Sequence, residues 1–94
     1  MSDETRETFE ALHQVRQEER RARGIVNKGR VEQLKRSGLI TTAWFAPTVV
    51  RIRLTRNPRV TCDFWPTTER WKDPRMRKAK EGWDAMLEHL GIKV

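Results

Sequence analysis

Tyrosine is absent from this chain of 94 residues, cysteine occurs once and histidine twice. A lone cysteine, Cys62, forms no disulfide within the chain and cannot build a structural zinc site by itself. His13 and His89 stand near opposite ends, each inside a helical pattern, and neither has a cysteine or a ligand-spaced carboxylate cluster beside it. Ser37 has no histidine near it in sequence to activate it, and no glycine-rich phosphate loop is present. No catalytic residue, metal or cofactor is therefore expected, and the chain reads as a non-enzyme. Apolar runs fall far short of the roughly 18 residues that a membrane-crossing helix needs. The polar, mixed-charge start does not resemble a signal peptide, so a cytoplasmic protein without membrane contact is expected. The length suits one domain over residues 1–94, with residues 1–8 frayed.

What the chain has in abundance is positive charge: twenty Lys and Arg against thirteen Asp and Glu give a net charge of +7. An anionic partner such as nucleic acid is one consequence of that balance, and solubility is the other. The surplus is spread along the chain, with nine basic and seven acidic residues over 1–38, five and two over 39–71, and six and four over 72–94. Any anion-binding surface must therefore be assembled by folding.

The first third has a helical period. Phe9, Leu12, Val15 or Arg16, Ala22, Ile25 or Val26, and Leu34 recur near every 3.6 residues among good helix formers, with Gly38 as the stop after Lys35 and Arg36. Gly24 and Gly29 permit a break, but one long helix is favoured. The basic run Arg16, Arg20, Arg21, Arg23, Lys28 and Arg30, interrupted by Glu18 and Glu19, reads first as a solvated face and second as a rail along a phosphate backbone, and Phe9 and Leu12 of the same helix leave a homodimer open.

From residue 40 the period becomes two. Residues 40–45 form one strand. Residues 48–55 form a second, with Val50, Ile52 and Leu54 inward and Arg51 and Arg53 outward. Residues 60–65 form a third, with Val60, Cys62 and Phe64 inward and Asp63 and Trp65 outward. Pro66 ends it, and residues 67–71 read as a turn or a very short edge strand. Asp73-Pro74 then has the chemistry of a helix start, followed by a stripe of Met76, Ala79, Trp83, Met86 or Leu87, and Leu90 up to Gly91. The fold expected is α+β: an N-terminal helix, a three-stranded antiparallel sheet and a C-terminal helix, with both helices on one face of the sheet.

Two arrangements carry candidate binding chemistry. Arg51, Arg53 and Trp65 share the outward sheet face, where a tryptophan can stack on a base, although Asp63 is placed to pair with an arginine. Lys72, Arg75, Arg77 and Lys78 crowd the expected start of the last helix, where a phosphate would meet both cations and free N–H groups, and Trp71 stands beside them as a second stacking surface.

The run Asp63-Phe64-Trp65-Pro66-Thr67-Thr68 with Trp71, together with Leu34 and Gly38-Leu39-Ile40, resembles a signature of small bacteriophage-encoded proteins of mostly unassigned function, with α-β-β-β-α order. This chain has Glu69 where that pattern has glycine. The element order is also similar to that of double-stranded RNA-binding domains and of the toxin ribonucleases that share their fold. The toxins' sheet histidine has no counterpart between His13 and His89, so nuclease activity does not carry over. The resemblance implies a phage accessory protein working in a bacterial cytoplasm. The expectation is nucleic-acid binding, to DNA or RNA, through Arg51, Arg53, Trp65, Trp71, Lys72, Arg75, Arg77 and Lys78. The alternative is an inhibitor or adaptor docking on a host protein, a defence or nucleic-acid-processing factor.

Overall fold

A computed structural model describes residues 3–93, and side chains from residue 14 onward. The side chains of Phe9, Leu12 and His13 fall outside the described residues, as does the start of the chain where fraying is expected. The element order is α1 (Asp3–Arg36), β1 (Ile40–Ala46), β2 (Val49–Leu54), β3 (Thr61–Trp65), β4 (Arg70–Lys72), β5 (Lys80–Glu81) and α2 (Trp83–Leu90). All five strands form one antiparallel meander in the order β1-β2-β3-β4-β5. The α+β class, the two flanking helices and the antiparallel sheet agree with the sequence pattern; among the described residues the sheet has five strands and not three.

α1 runs unbroken through Gly24 and Gly29 and stops before Gly38, whose φ is 81°. Its packing face differs from the apolar stripe expected of it. Gly24, Asn27 and Val31 are buried and Leu34 is half-buried, while Val15, Ile25 and Val26 face solvent. The contact selects small and polar residues because α1 approaches the β3–β4 turn closely: a Cβ on Gly24 would lie 3.0 Å from Thr67 Cγ2. Gly29 has open space around it, and its substitution by alanine adds helix propensity without a clash. We expect Gly29→Ala to stabilise the protein by about 1 kcal/mol, raising Tm by roughly 4–8 °C, in a thermal melt.

The period of two in β2 and β3 lines one sheet face with Val50, Ile52, Leu54, Cys62 and Phe64, all buried. They share one core with Val31 from α1 and with Trp83, Met86, Leu87 and Leu90 from α2, so both helices serve the same face. The Phe64 and Trp83 rings meet edge to face, 5.4 Å between centroids. Cys62 is fully buried; desolvation, with the charges of Asp63 and Asp73 behind it, pushes its thiol up to about 12, which leaves it an inert core residue at neutral pH.

The expected helix at Asp73-Pro74 does not form, and this is the main correction to the fold. The Asp73 carboxylate accepts the Arg75 backbone N–H at 2.9 Å, and its carbonyl accepts the Met76 N–H at 2.9 Å, closing a turn instead of a helix. A helix begun there would have to continue through Gly82, whose φ of 106° belongs to no helix. Lys80 and Glu81 instead pair with Trp71 and Arg70 as β5, and α2 begins only at Trp83. It ends at Gly91, in the left-handed conformation, as its sequence implies.

Candidate nucleic-acid interface

The strand register decides which candidate residues meet. Ala43, Arg51, Asp63 and Lys72 are successive partners across β1 to β4, Arg53 pairs with Thr41 and Thr61, and Trp65 pairs with Arg70 and through it with Glu81. Alternation puts all of them on the sheet face opposite the core, the face that neither helix covers. Arg51, Arg53, Trp65 and Lys72 are therefore brought onto one surface, joined by Arg70, which the sequence reading did not select.

The charges on this surface are not equally free. Arg51 Nε and Nη2 donate to the Asp63 carboxylate at 2.9 and 3.4 Å, and that bond and charge hold the guanidinium above its usual value. Arg70 meets Glu81 at 3.3 Å, an exposed pair worth little in water. Arg53 and Lys72 have no ion pair among the described residues, so they are the cations most available to a phosphate on this face.

Other sequence candidates fall elsewhere. Trp71, opposite Phe64 in the register, points into the core and is 1% exposed, so it cannot serve as a stacking surface. Its ring lies 5.0 Å from that of His89, and its Nε1–H has no acceptor among the described residues. Arg75, Arg77 and Lys78 are exposed on the β4–β5 connection, and with no helix start there, the combined helix-end and cation cradle for phosphate does not exist. Asp73 anchors that connection: its carboxylate is bonded to His89 Nε2 at 3.0 Å and lies 3.5 Å from Arg75 Nε.

Sequence reasoning missed Trp44 and Phe45. They stand at consecutive positions just before the last residue of β1, and a strand with one covered face cannot bury two neighbours. That signal was present in the chain. The register shifts between Trp44 and Ala46, and both rings remain open, 40% and 58% exposed. Lys28 of α1 sits 5.8 Å from the Trp44 centroid and Arg51 lies 4.7 Å from that of Phe45.

The class this geometry defines is a small basic α+β protein with a meander sheet whose outer face, cationic and flanked by open aromatic rings, is bare. Among the described residues no group of acidic, histidine or cysteine side chains is placed to hold a metal, and no helix is long and apolar enough to cross a membrane. Comparison with protein-family models, with curated proteins and with solved structures finds no match to this chain.

Proposed function

We propose that this protein is a non-enzymatic nucleic-acid-binding protein, of the accessory kind that the Asp63 to Trp71 resemblance associates with phages, and that it binds across the open sheet face. The observation that carries the reading is the register. It sets Arg51, Arg53, Lys72 and Trp65 on one uncovered surface, and the net charge of +7 favours a polyanion approaching it. Arg53 and Lys72 supply phosphate contacts, Trp65 a stacking surface, and Arg75, Arg77 and Lys78 an adjoining basic connection.

Fluorescence anisotropy with labelled single strands, duplex DNA and duplex RNA at two salt concentrations tests it. Micromolar or tighter binding near physiological salt is expected. The double variant Arg53→Glu/Lys72→Glu should weaken binding at least about tenfold and lower the salt slope by about two, one per lost phosphate contact. No binding to any probe at that salt would overturn the reading. It would leave the alternative, docking on a host protein, for which the open Trp44 and Phe45 rings beside Arg51 have the composition of interface hot spots.

A further inference from the structure

Beside the turn end of the β1–β2 hairpin lies a hollow of about 460 Å³ lined by Lys28, Trp44, Phe45, Ala46 and Pro47. Its volume lies within the roughly 300–1,000 Å³ of small-molecule sites. The rings have no structural task that demands exposure: the core closes without Trp44 and Phe45. The register shift beside Phe45 and the Pro47 turn hold the two rings at the rim, where burial is forgone. Each ring already has a cation near it, Lys28 by Trp44 and Arg51 by Phe45. A flat aromatic ligand that carries negative charge would satisfy both elements at once, stacking on a ring and contacting a neighbouring cation through its phosphate.

From this we infer that the hollow receives one unpaired base and its phosphate, so that the nucleic acid bound is single-stranded. The inference rests on the nucleic-acid reading and narrows it. A base inside a duplex keeps its faces stacked on its neighbours and cannot lay one on a protein ring, whereas a single strand offers a free base face at every residue. Phe45 and Arg51 also make the hollow continuous with the row that runs through Asp63 to Lys72. A strand seated in the hollow thus leads its next phosphates onto the sheet.

The test compares a labelled oligothymidylate, an abasic strand of equal length and a duplex of equal length, each titrated against the wild type and against Trp44→Ala/Phe45→Ala. The wild type should bind oligothymidylate about tenfold more tightly than the abasic strand, the size of one stacked base. The variant should narrow that difference to what stacking on Trp65 leaves, with the salt slope unchanged, and the duplex should bind more weakly than oligothymidylate to the wild type and equally to both proteins. Phe45→Ala alone, at the more exposed ring, should remove part of the difference and guards against misfolding of the double variant. Equal wild-type binding of thymidylate and abasic strands would overturn the hollow while leaving the broader reading standing, as would a difference that both variants leave undiminished. Absence of binding to all three probes would overturn both.

Discussion

Replacing Asn27 by aspartate is expected to cost more stability than replacing it by alanine, about 3–5 against about 2–3 kcal/mol, although aspartate is the closer match in shape. Asn27 sits on α1 with no exposed surface. Its Nδ2 donates to the Pro66 carbonyl at 2.7 Å and to Glu69 Oε1 at 3.2 Å, and its Oδ1 accepts from Arg30 Nη1 at 3.1 Å. Alanine removes both donations, leaves the Pro66 carbonyl without that partner and opens a small void, while gaining a little helix propensity. Aspartate replaces the donor with a second acceptor, so a carboxylate faces a carbonyl and the Glu69 carboxylate at the same time, with only Arg30 to offset the repulsion. Urea denaturation of the three proteins reads the order. If aspartate were the milder change, packing and not hydrogen bonding would be what Asn27 contributes, and the assignment of its role would fail.

The same contact explains how Glu69 can occupy a backbone conformation that favours glycine. Its φ is 56°, the left-handed region that glycine adopts without cost and other residues enter at about 1–2 kcal/mol. The turn closes nonetheless: the Thr68 N–H reaches the Trp65 carbonyl at 3.3 Å, with Pro66 preset for the turn, and the Glu69 carbonyl accepts the Gly82 N–H at 3.0 Å. The Glu69 side chain then returns part of the cost through Asn27 and its approach to Arg30 at 3.9 Å. Arg30 in turn lies 5.8 Å from the Trp83 ring centroid, so one arginine ties α1 to the turn and to the start of α2.

What could be read from the chain, and what could not, follows from how far each signal extends. β2 and β3 are long enough for alternation to fix both faces, and the outward set Arg51, Arg53, Asp63 and Trp65 came directly from it. β4 and β5 have three and two residues, too few for any period, so their existence depends on a neighbour already in place. That neighbour decides Trp71: the register against Phe64 sends it inward, and nothing local to it says so. Asp73-Pro74 misleads for a different reason. A carboxylate that accepts an N–H two residues ahead serves a turn as well as a helix cap, and only the later pairing of Lys80 and Glu81 separates the two. On α1 the apolar period pointed to residues that face solvent, because the face that meets the sheet is built on Gly24 and Asn27.

Removal of the Asp73 carboxylate, as Asp73→Ala, is expected to destabilise the protein by about 2–3 kcal/mol at neutral pH, with Asp73→Asn costing about 1 because an amide keeps the Arg75 acceptor. Burial pushes the Asp73 carboxyl up, but the Arg75 backbone N–H, the His89 hydrogen bond and the charges of Arg75 and His89 together outweigh it, and the group is held below the ordinary aspartate value. A carboxyl whose native pKa is lowered stabilises fully above its unfolded pKa, near 4, and loses that contribution as pH falls through the lowered native value. The gap between wild type and Asp73→Ala in urea midpoint should therefore be level from pH 7 to pH 5 and narrow by pH 3. A gap that stays constant down to pH 3 would mean that the ionised carboxylate contributes nothing beyond its packing. The position matters for binding as well as for stability. Asp73 fastens the β4–β5 connection to α2 through His89, and that connection carries Arg75, Arg77 and Lys78 beside the sheet. A single buried carboxylate thus fixes the last helix against the sheet and sets where three of the protein's cations stand.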